Sequence, residues 1–268
     1  LGRNVFCLGF AGGRGAYCKY TSVPASMVWK LPANVAVEDG CAFFVNPFTV
    51  FAMLEEVRRR GQTWMIHTAA ASALGTMLAK ASAHYGITVV HVVRRGDQAE
   101  AVRRLGPNGQ KYVLVSGREG DAKASAAFWA ALGALIAEHR IRLAFDGVAG
   151  ELSGQLLAAL PPGGCVFVYG RLGSSFVCQL PVSDLIYQGK ELKGFLVMNH
   201  LRGALRMWRA TSFVRRHFLE CFLPTKFEDV ALADTAALLR KIDPHGEKPL
   251  RATGRKWRVR PGAAAVAK

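Results

Sequence analysis

No apolar run in this chain reaches the roughly 18 residues that a membrane-spanning helix requires, and its first residues do not form a charged, apolar, small-residue signal segment. Both absences predict a protein without a membrane span, soluble or peripheral to something larger. Paired cysteines are missing too. Cys7, Cys18, Cys41, Cys165, Cys178 and Cys221 are widely spaced, with no C-x-x-C among them. That spacing argues against a disulfide framework and predicts reduced, mostly buried thiols in a reducing compartment. Acidic residues are scarce: 19 Asp plus Glu stand against 35 Lys plus Arg, a net charge of +16. Such an excess implies an acidic environment or partner, whether nucleic acid, an acidic protein assembly or anionic lipid. The alternative is a basic organellar composition with no such contact. There are no internal repeats.

What is present centres on Thr63 to Arg95. Trp64 to Thr68 is a short apolar run bounded by Gly61 and small residues, which suits a buried parallel strand. From Ala73, the residues Leu74, Met77, Leu78 and Ala81 recur at helical spacing up to Gly86, placed as a C-cap, and Thr88 to Val93 is strand-like again. This is one βαβ unit. Between strand and helix lie Ala69 to Gly75, and against a G-x-G-x-x-G fingerprint the three positions hold Ala70, Ser72 and Gly75. Small residues there allow a sharp turn, close approach to a pyrophosphate and tight helix packing, while the helix N-terminus offers free amides. Ser72 is expected within reach of that pyrophosphate. About 20 residues beyond the turn, where an NAD fold carries a carboxylate for the ribose, stand Arg94 and Arg95. Two guanidiniums favour the 2′-phosphate of NADP(H); the alternative is a solvated basic pair.

The stretch resembles the cofactor domain of the medium-chain dehydrogenase/reductase superfamily, in its zinc-independent quinone oxidoreductase and enoyl reductase branch. Further stretches resemble the family's elements in its order. These are GRGAYCKYTSVP (Gly13 to Pro24), NPFTVFAML (Asn46 to Leu54), AFDGVAG (Ala144 to Gly150), GGCVFVYGRLG (Gly163 to Gly173) and KELKGFLV (Lys190 to Val197). The resemblance covers roughly Gly13 to Val197. It implies a doubly wound, Rossmann-type α/β parallel sheet joined to a truncated, β-rich, GroES-like substrate domain. It also implies that Thr49 lies near the nicotinamide carboxamide. The candidate cofactor-binding residues are Thr49, Ala70, Ser72, Leu74, Gly75, Arg94, Arg95, Tyr169, Gly170 and Phe195. The zinc-dependent members' ligands are not expected, since Val45 holds one ligand position and no histidine is followed by glutamate. His67, His84 and His91 read as packing or surface residues. No proton donor is identifiable; Tyr17, Asn46 and Tyr169 are the polar side chains nearest the site.

The divisions read as a substrate-domain remnant over 1–45, a dinucleotide-binding domain over 46–197, C-terminal helices over 198–243 and a basic tail over 244–268. In the remnant, Val5 to Phe10 and Tyr17 to Val23 read as a β-hairpin. The chain starts at Leu1 with only about 60 residues before Trp64, so half of the family's substrate domain is expected to be missing. Two functions stay open. One is an NADPH-dependent reductase of a quinone or α,β-unsaturated carbonyl, with a small-molecule substrate. The other is a non-catalytic descendant serving as a structural subunit of a large protein or ribonucleoprotein assembly, such as a mitochondrial ribosome or respiratory complex, through its basic surface. The expected location is the mitochondrial matrix, with the cytoplasm as the alternative.

Overall fold

The computed structural model describes residues 4–7, 18–106, 109–117, 122–173, 175, 177–223, 227–242 and 256–260. The chain opens with β1 (Val5–Cys7), which pairs antiparallel with β2 (Val28–Lys30). Helix α1 (Val45–Arg59) follows, with Pro47 in its first turn, where an amide has no intrahelical acceptor to lose. Gly61, at φ 65°, ends it, and the amide of Gln62 reaches back to the carbonyl of Val57 as left-handed helix stops require.

The nucleotide-type layer then alternates strand and helix. Its elements are β3 (Trp64–His67), α2 (Ala73–Ala81), β4 (Thr88–Val93), α3 (Gly96–Arg103), β5 (Val113–Val115), α4 (Ala122–His139), β6 (Leu143–Asp146), α5 (Glu151–Ala159), β7 (Cys165–Val168), α6 (Val182–Gln188) and β8 (Glu191–Gly194). All six strands β3 to β8 pair parallel in the order β5-β4-β3-β6-β7-β8. The order reverses between β3 and β6, and in open α/β sheets ligands bind in the crevice beyond the strand C-termini at such a reversal. Apart from the edge strand β8, the strands are nearly continuous apolar runs because both faces are covered. Met65, Leu143, Phe145 and Phe167 face α1, α2 and the later helix α8 (Ala204–His217), which follows the short α7 (Val197–His200). Ile66, Val90, Ala144 and Val166 pack against Phe128, Leu132 and Ile136 of α4 and Leu156 and Leu157 of α5. Last come β9 (Phe227–Ala231), α9 (Thr235–Ile242) and β10 (Lys256–Arg260), with β10 parallel to β9.

Three expectations need correcting. The strand partner of β1 is Val28–Lys30, not Tyr17 to Val23; Phe6 and Trp29 stack at 5.4 Å and Trp29 stacks on Phe44 at 5.8 Å, so aromatic packing sets the pairing. Residues 18–24 hold no strand, and 8–17 lie outside the described residues. The cysteines are not mostly buried: Cys165 and Cys221 are, whereas Cys7 and Cys41 are exposed. Within the expected basic tail, Lys256–Arg260 is a strand, and its Arg258 and Arg260 pair with Asp229 of β9 at 2.6 and 2.7 Å. At the end of α1, buried Glu56 takes Arg59 at 2.6 Å and Arg60 at 2.8 Å.

Candidate cofactor crevice

The crevice is floored by a buried network at the C-terminal ends of β3, β6 and β7. Asp146 is completely buried, and its carboxylate accepts from Thr68 Oγ1 (2.6 Å), Ser153 Oγ (2.6 Å) and the amides of Val148 (2.9 Å) and Ala149 (3.1 Å). Thr68 Oγ1 in turn accepts from the amide of Gly147 at 2.9 Å. Neutral donors thus satisfy a charge-bearing group that burial would otherwise penalise. They also fix the turn after β6, where Ala149 and Gly150 hold φ 66° and 70°.

Beside it, the Tyr169 hydroxyl lies 2.8 Å from His67 Nε2 and 3.3 Å from the Thr68 carbonyl, with the two rings stacked at 5.5 Å. Burial, reinforced by neighbouring His91, pushes the His67 pKa down to about 3, so its imidazole is neutral at physiological pH. Burial and the Asp146 charge push the Tyr169 hydroxyl well above its usual range. The pair is therefore an un-ionised fixture. Gly147 and Gly170 are required here: a Cβ on Gly147 would sit 2.6 Å from the Tyr169 hydroxyl, and one on Gly170 3.0 Å from the Gly147 carbonyl.

The turn between β3 and α2 carries the predicted small residues. Ala69 is left-handed at φ 53°, and the amide of Ala70 bonds the Val92 carbonyl, tying the turn to β4. Gly75 lies so close to the strand that a Cβ would meet the Ala70 carbonyl oxygen at 2.3 Å. Ser72 caps α2, its hydroxyl accepting from the Gly75 amide at 3.1 Å. The amides of Ala73 and Leu74 stand in the first turn, where no intrahelical acceptor exists, while the Leu74 side chain joins the core.

Arg94 and Arg95 follow β4 but differ. Arg95 forks onto Asp97 at 2.9 and 3.1 Å, whereas Arg94 is exposed with no ion pair among the described residues. Thr49 is buried on α1 and donates to the Val45 carbonyl at 2.6 Å. Phe195 packs against Phe145 and Phe167 and stacks on His200 at 4.0 Å, so its ring belongs to the core. The sheet thus brings Ala70, Ser72, Leu74, Gly75, Arg94, Arg95, Tyr169 and Gly170 to one edge. The sequence reading missed Asp146 and Ser153 as its organisers; an aspartate ending an apolar strand before Gly147 was the available signal. A cleft of about 670 Å³ lies elsewhere, lined by Arg58, Arg59, Arg60, Lys193, Arg206 and Arg209 with Glu55 and Glu56 among them.

Strand order, the small-residue turn and the placement of both at the reversal define a dinucleotide-type α/β domain. No family model matches the chain. It is 28% identical over 188 residues to the mitochondrial enoyl-[acyl-carrier-protein] reductase of Xenopus tropicalis, covering 69% of this chain and 51% of the relative. Among solved structures it is similar to a Mesorhizobium loti protein assigned as an NADPH:quinone reductase, with TM-score 0.71 and 26% identity over 89% of this chain and 65% of that one. A Thermus thermophilus quinone oxidoreductase, solved also with NADPH, shares the fold at TM-score 0.64 and 20% identity, covering 90% of this chain and 73% of that one. In sequence and fold the chain is thus similar to the quinone oxidoreductases and enoyl reductases of the zinc-independent branch of the medium-chain dehydrogenase/reductase superfamily. It spans about half the length of the curated relatives it matches.

Proposed function

We propose that this chain is the NADP(H)-binding part of a zinc-independent reductase acting on a quinone or an α,β-unsaturated carbonyl, working in the mitochondrion. The observation that carries the reading is Arg94: an exposed guanidinium with no ion pair among the described residues, at the end of β4, beside a helix N-terminus reached through a turn of small side chains. Similarity to curated enoyl reductases that are mitochondrial supports the location, and to structures of NADPH-binding reductases the cofactor.

The residues present fit NADP(H). The amides of Ala73 and Leu74 would receive the pyrophosphate at the positive end of α2, with Ala70, Ser72 and Gly75 keeping the approach open. Ser72 acts first as the helix cap, its oxygen already accepting from Gly75. Arg94 would hold the 2′-phosphate, with Arg95 secondary because Asp97 engages it. Thr49, Tyr169, Gly170 and the backbone at Phe195 line the side toward the nicotinamide. The cofactor would supply a hydride; the chain would orient it, and the neutral His67–Tyr169 pair adds no charge of its own to the crevice floor.

Titration of the protein with NADPH and NADH tests this. Arg94→Ala should weaken NADPH about tenfold or more and leave NADH nearly unchanged, since charge-assisted hydrogen bonds contribute about 1.5 to 3 kcal/mol. Arg95→Ala should have the smaller effect. Equal losses for both cofactors would overturn the reading.

A second reading, a structural subunit of a large mitochondrial assembly, is favoured by the exposed Arg206, Arg215 and Arg216 of α8. None of them has an ion pair among the described residues, in a chain of net charge +16. Association through them would weaken steeply with salt as counterions are released. Co-sedimentation from a mitochondrial lysate across a salt series should then show a large, salt-sensitive particle; a free monomer or small oligomer at low salt removes this reading.

A further inference from the structure

On the side of the molecule where α2 runs out, four side chains of metal-ligand type converge. His84 lies in the 3-10 turn Ser82–Tyr85 that extends α2; His217 ends α8; Glu220 and Cys221 lie in the π turn Phe218–Phe222 that follows. One potential ligand atom from each falls within 4.8 Å of all the others. His84 Nε2 is 3.4 Å from one Glu220 carboxylate oxygen, and His217 Nδ1 is 3.5 Å from the other. The centroids of the two imidazole rings are 4.0 Å apart, and Cys221 is buried in the hydrophobic core.

We infer that His84, His217, Glu220 and Cys221 form a site for a single divalent cation of the zinc type. Tetrahedral zinc with nitrogen and oxygen ligands near 2.0–2.2 Å and sulfur near 2.3 Å sets ligand atoms about 3.3 to 3.8 Å from one another. Each His–Glu separation, one to either carboxylate oxygen, falls in that range, and closing the remainder needs the solvent-accessible His84 and Glu220 to turn toward the buried Cys221 thiol. The donor set is also the right chemistry: two imidazoles, a thiolate and a carboxylate suit a borderline cation and not magnesium or calcium, which take oxygen.

The alternative is that the histidines are simply ion-paired to Glu220. It does not account for the convergence of a ligand atom of Cys221 within 4.8 Å of those of His84, His217 and Glu220. Local geometry supports the site as well. His217, Glu220 and Cys221 are spaced i, i+3, i+4, which brings them to one face, and single π turns recur at functional positions in helices. The amide of Leu223 closes this one on the Phe218 carbonyl at 2.8 Å.

Four protein ligands leave no open position, which is the pattern of structural rather than catalytic zinc. The cation would clip the far end of α2, whose near end opens on the crevice, to α8 across a large gap in sequence. This site is distinct from the family's zinc positions discounted above and independent of whether the crevice binds NADP(H).

The test is titration of the full chain with Zn²⁺ against a chromophoric chelator, and with Co²⁺ as a spectroscopic probe. The expected result is one equivalent bound, with cobalt giving visible bands of tetrahedral intensity and a near-ultraviolet thiolate-to-metal band. Cys221→Ser should abolish the thiolate band. His84→Ala, at an exposed position, should weaken Zn²⁺ by at least about tenfold, the lower bound seen even for residues that only support a ligand. The thermal midpoint of the wild type should rise with Zn²⁺, and that of His84→Ala should not. A folded protein that takes up no stoichiometric metal, or one whose binding and cobalt spectrum survive both substitutions, would overturn the assignment.

Discussion

Thr68 and Asp146, 78 positions apart in the chain, share a 2.6 Å hydrogen bond across the seam where β3 meets β6. Every other contact of the Asp146 carboxylate is also with a donor, and two of these are backbone amides that cannot turn round to accept. Asp146→Asn sets an NH₂ group against one of them. The expected cost is about 1 to 3 kcal/mol, the desolvation penalty of a buried donor left unpaired, read from the shift in denaturant midpoint. Ser153→Ala leaves the carboxylate three of its partners and should cost less.

His67 and His91 face each other in register on β3 and β4, both fully buried. Burial lowers their pKa values to about 3 and about 4 from an ordinary 6.5. As pH falls below about 6.5 the unfolded chain takes up protons that the folded one refuses, so stability present at neutral pH is lost on acidification. Two such groups give a slope that approaches about 2.7 kcal/mol per pH unit near pH 5 and falls off toward pH 6 and pH 4. Denaturation curves over that interval should show it, and His91→Leu should halve the slope whatever it does to stability at pH 7.

At Gly75, the added methyl of Gly75→Ala would meet backbone, 2.3 Å from the Ala70 carbonyl oxygen, and no rotamer relieves that. Moving α2 off the strand should cost about 1 to 3 kcal/mol, as overpacking does. The same shift displaces the Ala73 and Leu74 amides, so NADPH affinity should fall together with thermal stability. Ser72→Gly removes only the cap and should cost a few tenths of a kcal/mol.

Beyond α6, Lys190 is 5% exposed and Asp184 7%; their charges meet at 2.9 Å, with the Ala158 carbonyl and Gln188 completing the bonding. Lys190→Ala strands a buried carboxylate and should cost about 3 to 5 kcal/mol, whereas replacing both partners with apolar residues of similar volume should cost much less. A double-mutant cycle by equilibrium unfolding decides between these outcomes.

The sheet was legible because its strands announce themselves: Thr88–Val93 is β-branched at every position but His91, and Gly86, left-handed at φ 62°, ends the preceding helical stretch as its position predicts. Ala70, Ser72 and Gly75 were legible as a turn despite two lost glycines, because the physical demand is for small size rather than for glycine alone. Arg94 and Arg95 looked equivalent in sequence; only the fork of Arg95 onto Asp97 separates them, and rotamers are not written in residue order. The Asp146 network and the His84–Cys221 cluster were hidden for a common reason: their members meet only after strand order and helix packing are set. The strand partner of β1 was missed because Tyr17 to Val23 has the composition of a strand, while Trp29, which stacks between Phe6 and Phe44, stands in an unremarkable triplet.

Arg258 on β10 does more than pair with Asp229. It also donates to the Glu38 carbonyl at 3.1 Å and lies 3.4 Å from Asp39, 219 positions earlier. A ribosome delivers residues 64–194 well before Arg258, so the six-stranded sheet can close while the segment ahead of α1 still lacks this clasp. Vectorial synthesis therefore sets an order of assembly, sheet first and N-terminal segment fastened last. A chain released before Lys256 would carry a finished sheet with the segment ahead of α1 unfastened.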